Sequence, residues 1–326
     1  MDNLTYAKTG LIGAYALRKL FLDYSGPTIR VNNSHDVYFD NLGQIILIEP
    51  VGNATHTTIA NIINSRITKW YDQSENTYNH DLVPGQYYDD NINSIGPQLI
   101  QTTRFSGYAV KFSKSEDNLT DSDTLWVNGG LADFSGDQSH TIITSHFSTL
   151  NPTSNAYTGS PNTDNLFSIG RPGNATYENS SVNTVYYNNQ CIAYHPNFHY
   201  MSYYYNYGNQ ATISPPLKNS SNEIYFTLAF KYNNNPRNYK IFKSGSLQTS
   251  SNITTTSSLD ILKQHPKQLD NNHTRTNFEL GNFSQRNSDD KNSLGSRFDG
   301  EVENFMLYNI AITNDSDIAA ISNLLL

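Results

Sequence analysis

Three acidic residues occur at alternate positions near the end of the chain: Asp299, Glu301 and Glu303. In a β-strand, alternate side chains point to the same face, so all three would share one surface. Two carboxyl groups on one surface can cleave a glycosidic bond when they lie about 5–5.5 Å apart (retention) or about 6.5–9.5 Å apart (inversion). The alternative is that these are outward-facing acids on a closing strand, with no catalytic role.

Tyrosine is the second chemically useful residue type, with 23 copies against 2 of Trp. Strand alternation within residues 200–207 would place Tyr203, Tyr205 and Tyr207 on one face. Exposed aromatic rings can pack on the apolar faces of sugar rings, so this face would be a platform for a glycan. The alternative is core packing, because a buried sheet face also needs bulky side chains.

Metal-binding patterns are weak in this sequence. His195 and His199 would be poorly placed for a shared metal on an extended strand. Asp121 with Asp123, or the acidic pair at 289–290, could hold Ca²⁺, but neither has the oxygen-rich loop pattern of a calcium site. The sequence therefore predicts no cofactor and no specific metal site.

Composition limits both the fold class and the partners. Hydrophobic residues make up 37% of the 326 positions and charged residues only 15%, so much of the polarity comes from uncharged side chains. Tyr and Thr suit strands, and Asn and Ser suit turns, so the mixture favours a β-rich fold. The net charge of −8 argues against nucleic acid or an anionic membrane as the main partner, because both attract clusters of Lys and Arg.

Targeting signals and disulfides are not expected. Cys191 is the only cysteine, so no internal disulfide can form. The first residues lack the basic start and apolar run of a signal peptide. The longest apolar stretch, at 45–48, is too short to span a bilayer. We therefore expect synthesis in the cytoplasm without an export signal, and no membrane insertion.

Apolar periodicity predicts a helix near each end of the chain. Residues 11–24 carry apolar side chains at helical spacing and Gly26-Pro27 would end this helix, while Asn314 would cap a helix over 315–325. The Ser/Thr-rich run at 248–258 is predicted to be a surface loop. Strand-like segments recur between the two helices, which indicates a sandwich or barrel. They are 28–31, 67–71, 108–112, 138–147, 166–169, 184–187, 198–205, 223–232, 238–242, 277–280 and 298–308.

Two N-terminal segments carry a resemblance to a glycosidase family. Residues 13–30 read GAYALRKLFLDYSGPTIR, and residues 70–74 read WYDQS. Together with the following Asn-His pair at 79–80, they resemble the opening of the catalytic domain of the family-54 α-L-arabinofuranosidases. The resemblance implies a concanavalin A-like β-sandwich and glycans as partners. It makes Tyr71 and Asp72 candidates for carbohydrate binding, although Asp72 could instead accept hydrogen bonds within a turn.

The closing segment at 298–313 carries a second resemblance, to the last strand of laminin-G and concanavalin-like modules. The two resemblances agree with each other and with the strand-rich composition. We therefore expect one all-β domain over 1–326, a concanavalin A-like jelly-roll β-sandwich. An N-terminal helical segment within 1–27 would pack on it, and a short helix would end the chain.

The first resemblance also bears on catalysis. In that family the nucleophile is a Glu within a strand that residues 200–208 resemble, and Ser202 stands at its position here. The family's acid/base is an Asp after a Gly-rich strand end, and Asn282 stands near that position. A Ser cannot replace the carboxylate without a base beside it. The resemblance therefore predicts that this chemistry is absent, unless Glu279 supplies a carboxyl group.

The leading hypothesis is a non-catalytic glycan-binding or structural surface protein, such as a virion or fibre component, on an arabinofuranosidase-like scaffold. The alternative is a glycoside hydrolase for arabinose-containing or related polysaccharide, with Glu279 or the acids at 299–303 as catalytic groups. A third possibility is self-assembly through strand edges, or assembly with capsid proteins. The expected location is a virion or extracellular surface.

Overall fold

The chain is described by a computed structural model. The described residues are 8–75, 77–84, 96–105, 107–113, 123–127, 131–132, 140–148, 166–171, 190–195, 200–205, 210–213, 224–231, 237–243, 246–253, 275–276, 278–281, 298–312 and 314–324. These residues form 21 β-strands and two α-helices.

The strands in the first half of the chain are β1 (Leu11–Ala16), β2 (Ile29–Val31), β3 (His35–Phe39), β4 (Ile45–Pro50), β5 (Ile67–Trp70), β6 (Leu82–Val83), β7 (Gln98–Gln101), β8 (Tyr108–Phe112), β9 (Leu125–Val127), β10 (Leu131–Ala132) and β11 (His140–Ser148). Those in the second half are β12 (Phe167–Arg171), β13 (Gln190–His195), β14 (Tyr200–Tyr205), β15 (Gln210–Ile213), β16 (Ile224–Lys231), β17 (Arg237–Lys243), β18 (Ser246–Ile253), β19 (Arg275–Thr276), β20 (Phe278–Leu280) and β21 (Gly300–Tyr308). The helices are α1 (Ile59–Ile62) and α2 (Asp315–Leu324).

The described strands form two large antiparallel sheets. The eight-stranded sheet has the order β18-β17-β16-β11-β21-β8-β7, and β1 also pairs with β21. The eleven-stranded sheet has the order β15-β14-β13-β12-β20-β9-β6-β5-β2-β3-β4. A small sheet joins β10 to β19. The predicted all-β sandwich is confirmed, whereas a single domain over 1–326 stays a prediction.

Two clusters of buried side chains lie on opposite faces of the eight-stranded sheet. The inter-sheet core contains side chains from both sheets, among them Trp70, Phe278 and Phe305. The outer cluster packs β1, β21 and residues 20–24 against α2, through side chains such as Ile321. Both faces of β1 and β21 are therefore buried, which explains why every residue of both strands is buried.

The predicted N-terminal helix is wrong. Residues 11–16 form β1 instead, and the described residues from 8 to 27 contain no α-helix. A helix would place Tyr15, Leu20 and Tyr24 close together on one side. In the structure Tyr15 lies in the inter-sheet core, whereas Leu20 and Tyr24 lie in the outer cluster. A strand that is buried on both faces is apolar without a break, and such a run cannot be distinguished from a helix by periodicity alone.

Other sequence predictions have mixed outcomes. The C-terminal helix is confirmed, and Asn314 caps it by accepting hydrogen bonds from the backbone and side chain of Ser316 at 3.1 and 2.8 Å. The loop predicted at 248–258 is wrong over its described part, because residues 246–253 form β18 and pair with β17. Thr and Ser are tolerated there because β18 is the last strand in the order of its sheet. The segment 184–187 lies outside the described residues, and neither described helix has the length and hydropathy of a membrane span.

Strand β21 contains a β-bulge at Glu303. Ser145 of β11 pairs with Asn304, whereas the next residue, His146, pairs with Val302, so Glu303 is the extra residue. The bulge reverses the alternation of faces, because Val302 and Phe305 both lie in the inter-sheet core although they are three residues apart. The simple alternation used to place the acids at 299–303 on one face therefore does not hold along the whole strand.

The two glutamates of β21 form ion pairs with arginines from distant parts of the chain. Arg18 donates to Glu303 Oε1 from Nε and Nη2, at 3.2 and 2.8 Å, and the Glu303 side chain is fully buried. Arg104 Nη1 donates to Glu301 Oε1 at 2.7 Å, and Thr102 donates to Glu301 Oε2 at 3.1 Å. Both carboxylates thus connect other segments to the central strand.

We expect Arg18→Ala to lower the free energy of unfolding by about 3–5 kcal/mol, because it removes one partner of a buried ion pair. Lys19→Ala is the matched control, since the neighbouring side chain is partly exposed, and it should change stability by less than about 0.5 kcal/mol. Chemical denaturation of the two variants tests this, and equal small effects would contradict the structural role given to the pair.

Candidate functional site

The segment after β5 fastens the N-terminal segment in place. Gln73 is fully buried, and its Oε1 accepts a hydrogen bond from the backbone N–H of Leu20 at 3.1 Å. Its Nε2 donates to the carbonyls of Ala16 and Arg18, at 2.9 and 3.2 Å. Its backbone N–H donates to the carbonyl of Ala14 at 2.7 Å. One residue therefore fixes the course of the chain through and beyond β1.

His80 adds a second attachment to the same strand. Its Nδ1 lies 2.5 Å from the carbonyl oxygen of Ile12, so Nδ1 is the donor. The hydroxyl of Tyr15 donates to the carbonyl of His80 at 2.6 Å. Both side chains are buried. The two segments that carry the family resemblance are thus bonded to each other, and we call the contacts of residues 72–80 with residues 12–20 the N-terminal clasp.

Asp72, a predicted carbohydrate-binding residue, belongs to this clasp. Its carboxylate accepts hydrogen bonds from the backbone N–H of Ala14 at 2.9 Å, and from the backbone and hydroxyl of Ser74, both at 2.8 Å. Burial raises the pKa of Asp72 to about 6, against the opposing effect of these hydrogen bonds. A direct contact with a sugar would require Asp72 to give up bonds that hold β1, so its carbohydrate-binding role stays a prediction.

Tyr71, the other candidate from this motif, lies beside a row of charged side chains. Lys69, Arg30, Asp36 and Glu49 are successive register partners across β5, β2, β3 and β4. Arg30 donates two hydrogen bonds of 2.8 Å to Asp36, and the Tyr71 hydroxyl donates to the same carboxylate at 2.9 Å. The Nζ of Lys69 lies 5.0 Å from the Tyr71 ring centroid. We call the four charged residues the polar ladder.

A cleft of about 590 Å³ adjoins the polar ladder, between the segment after β1 and the β3–β4 hairpin. Glu49 belongs to both, so the ladder and the cleft are continuous. Aromatic, aliphatic and polar side chains line the cleft. The aromatic ones are Tyr24, Tyr38 and Phe39; the aliphatic ones are Leu22, Leu42 and Leu47; the polar ones are Lys19, Ser25, Asp40, Asn41 and Glu49. We call it the hairpin cleft.

The turn between β3 and β4 shapes one side of the hairpin cleft. Asp40 Oδ1 accepts hydrogen bonds from the backbone N–H groups of Leu42 and Gln44, both at 2.8 Å. Gly43 has a φ of +81°, a conformation that favours glycine. The carbonyl of Gly43 accepts a hydrogen bond from the backbone N–H of Lys19 at 3.1 Å, which ties the turn to the opposite wall.

Tyr24 and Tyr38 supply aromatic surface and hydroxyl groups to the hairpin cleft. The Tyr24 hydroxyl donates to the carbonyl of Pro27 at 2.6 Å, and its ring meets that of Phe39 edge-on at 6.4 Å between centroids. Burial, with the charges of Asp36 and Glu49, raises the pKa of Tyr38. Its hydroxyl therefore stays protonated at neutral pH, where it can both donate and accept hydrogen bonds.

The hairpin cleft can bind a small polyhydroxylated molecule. Its volume falls within the range of about 300–1,000 Å³ that is typical of small-ligand sites. Aromatic faces can pack on the apolar face of a sugar ring, while carboxylates, an amide and an ammonium group can pair with its hydroxyls. Sequence reasoning missed this site. One signal was available, the turn pattern Asp40-Asn-Leu-Gly43. The exposure of Leu47 could not be read from alternation, because a register shift in the β3–β4 pair separates it from the buried Ile45.

The acids at 299–303 do not lie in the hairpin cleft. They belong to the end of the chain that forms β21 in the eight-stranded sheet, while the cleft adjoins β3 and β4 of the other sheet. Glu301 and Glu303 are buried in their ion pairs with Arg104 and Arg18, and Asp299 is half-buried just before β21. Their catalytic role stays a prediction.

The remaining candidates lie in the other half of the eleven-stranded sheet, with Glu279 on β20 near its middle and Ser202 on β14 near its end. Glu279 is the register partner of Trp126 and Ser168, and the row continues through Ala193 to Ser202. Glu279 on β20 and Ser202 on β14 are separated by three strand spacings, so their backbones lie about 14 Å apart at the usual distance between neighbouring strands.

The tyrosine platform proposed from the sequence is described only in part. Tyr203 is the register partner of Ile192, in a row that also contains the buried Phe278. Tyr205 pairs with Gln190. Tyr207 and Asn282 lie outside the described residues. The platform therefore stays a prediction.

Metal binding finds no support in the part of the chain that is described, where no group of three or more His, Cys, Asp or Glu could hold an ion. Asp123, one of the predicted calcium candidates, is buried and accepts a hydrogen bond from Arg66 at 2.6 Å. Its predicted companion Asp121 and the pair at 289–290 lie outside the described residues.

Comparison with known proteins shows the fold. No protein-family model matches the chain, and no curated protein matches its sequence. It resembles a GH54 α-L-arabinofuranosidase variant soaked with 4-nitrophenyl α-L-arabinofuranoside, with 15% identity and a TM-score of 0.57. It also resembles an arabinofuranosidase complexed with arabinofuranosyl-α-1,2-xylobiose, with 13% identity and a TM-score of 0.54. Each match covers 98% of this chain but 63% of the other chain. The expected arabinofuranosidase-like sandwich is thus confirmed for the fold.

The buried carboxyl group of Asp72 predicts a specific pH dependence of stability. The pKa of Asp72 is about 6 in the folded chain and about 3.9 in the unfolded chain. Between pH 4 and 6 the proton is therefore bound mainly by the folded chain. The difference between the two pKa values corresponds to about 3 kcal/mol of stability. This contribution is complete below about pH 4 and is lost as the pH rises through 6. Urea unfolding from pH 3.5 to 7.5 should show it in the wild type but not in Asp72→Asn. A wild-type advantage that grows with pH would contradict it.

Proposed function

We propose that the protein binds glycans in the hairpin cleft and does not cleave them. The observation that carries this proposal is the mixture of aromatic rings with carboxylate, amide and ammonium groups in one cleft of small-ligand size. A sugar has both an apolar face and a rim of hydroxyls, and this cleft offers a counterpart to each. A purely apolar ligand would offer no hydrogen-bonding groups to the polar side chains of this lining.

The polar ladder extends the same surface. Its Arg30–Asp36 pair is fixed by two hydrogen bonds, and the hydroxyl of Tyr71, the residue after β5, donates a third to Asp36. Carboxylate oxygens that already hold such partners retain further lone pairs, so they can still accept bonds from sugar hydroxyls. A glycan longer than the cleft could therefore continue past Glu49 onto the ladder, where Tyr71 would contact it.

The fold supports a glycan as the ligand class. The arabinofuranosidases that this chain resembles were captured with an arabinofuranoside and with an arabinofuranosyl-xylobiose. This chain spans 63% of their length, and its identity to them is 15% or less. Arabinose-containing glycans are accordingly the first ligands to test, and their binding by this chain is part of the proposal.

The absence of cleavage rests on where the acids lie. Glycoside hydrolysis needs two carboxyl groups that flank one bond. Glu301 and Glu303 lie on β21 of the eight-stranded sheet, apart from the cleft, and each carboxylate is paired with an arginine. The cleft lining holds two carboxylates, Asp40 and Glu49, but Asp40 is committed to two backbone N–H groups of its own turn. A virion or fibre location stays a prediction.

Tyr38→Ala should weaken glycan binding at least tenfold, about 1.4 kcal/mol, because it removes the aromatic surface of the cleft wall. Titration calorimetry with arabinofuranosyl-xylobiose and arabinan oligosaccharides would measure this, with Tyr78→Ala as the control because that tyrosine is exposed outside the cleft. Equal affinities of the wild type and Tyr38→Ala, with both variants folded by circular dichroism, would remove the cleft from the proposal.

Hydrolysis is tested separately, on aryl glycosides and arabinose-containing polysaccharides. We expect no turnover by the wild type, and no difference between it and Glu301→Gln or Glu303→Gln. Turnover that either substitution abolishes, in a protein that remains folded, would establish a glycoside hydrolase and overturn the non-catalytic proposal.

A further inference from the structure

Exposed leucines are concentrated at the hairpin cleft. Among the described residues, the large hydrophobic side chains that stand out into solvent are Leu22, Leu42, Leu47 and Tyr78, exposed by 61, 77, 51 and 40%. The three leucines all line the hairpin cleft. Single exposed apolar residues are ordinary, whereas a cluster at a concave site marks a binding surface.

The fold presents these leucines on well-defined backbone. Leu42 occupies the turn whose N–H groups are held by Asp40, and its own N–H donates at 2.8 Å. Leu47 lies in β4 between the buried Ile45 and Ile48. Leu22 follows two buried residues at 20–21 that anchor its segment in the outer cluster. Each leucine is thus the outward member of an anchored segment.

We propose that the hairpin cleft selects O-acetylated glycans over the same glycans without acetyl groups, an inference that rests on the proposed glycan-binding function. An acetyl ester combines a methyl group with a carbonyl acceptor. The methyl group would be buried against the leucines, while the Lys19 ammonium and the Asn41 amide are donors in the same cleft that can reach the carbonyl.

The composition and size of the cleft argue against a protein partner and against acidic sugars as its occupants. A stable protein interface is an extended surface of about 800 Å² on each partner. This cleft, with a volume of about 590 Å³, instead has the size of a small-ligand site. The lining contains two carboxylates, Asp40 and Glu49, against one ammonium group, that of Lys19. The excess negative charge disfavours acidic sugars, and neutral acetylated sugars avoid this repulsion.

The test compares one polysaccharide with and without its acetyl groups. O-acetylated xylan, O-acetylated glucomannan and arabinoxylan would each be split, and half of each preparation deacetylated with mild alkali where it carries esters. We expect the wild type to bind the acetylated forms about tenfold more tightly. Leu42→Ser and Leu47→Ser should abolish that preference, so that each variant binds the acetylated and deacetylated forms with equal affinity, whereas Tyr78→Ser, the control outside the cleft, should keep it.

Each outcome separates the inference from the proposed function. Equal binding of acetylated and deacetylated forms by the wild type would overturn the acetyl preference and leave glycan binding intact. Binding to none of these polysaccharides, acetylated or deacetylated, would overturn both the acetyl preference and the proposed glycan binding. Self-association that is lost in Leu42→Ser, measured by light scattering, would overturn the preference and assign the leucines to contacts between copies of the chain.

Discussion

The buried side-chain amide of Gln73 holds residues 16–20, where the chain leaves β1, in an irregular conformation. An amide offers an acceptor and two donors, and here one side chain satisfies three backbone groups of a segment that has left its strand. Much depends on that segment. It brings Arg18 to Glu303 on the central strand, places Leu20 and Phe21 in the outer cluster, and continues into the wall of the hairpin cleft.

The sandwich could be predicted because strand signals are local, whereas the first strand could not. The predicted segment 108–112 is β8 without change, and the predicted segment 223–232 is β16 with one residue fewer at each end. Residues 11–16 are apolar on both faces because two clusters cover them, and nothing within the segment indicates a second cluster. The error in β18 has the opposite cause, since an outermost strand needs few apolar residues to stay paired.

The candidate site was harder to predict than the fold. Alternation suggested that the acids at 299–303 share a face, but the bulge at Glu303 interrupts the alternation and both glutamates of β21 pair with arginines from remote segments. Such pairs join residues nearly 200 or more positions apart, and a single sequence does not reveal them. The hairpin cleft likewise forms from residues at 19–26 and 38–49, and the first of these segments is the one for which the sequence wrongly predicted a helix.

The family resemblance carried information about the scaffold because of where its residues lie. Trp70, Gln73 and His80 are fully buried, and the hydrogen bonds of Gln73 and His80 run to the first strand and the segment after it. Residues in such positions are constrained by packing and by backbone groups that need partners, so a chain that keeps them keeps the fold without keeping any chemistry. Ligand contacts must come from exposed residues, and Leu42, the most exposed of the cleft leucines, lies outside both resembling segments. The hairpin cleft combines both kinds of residue, because one wall comes from the resembling segment at 13–30 and the other from the β3–β4 hairpin, which lies outside both resembling segments.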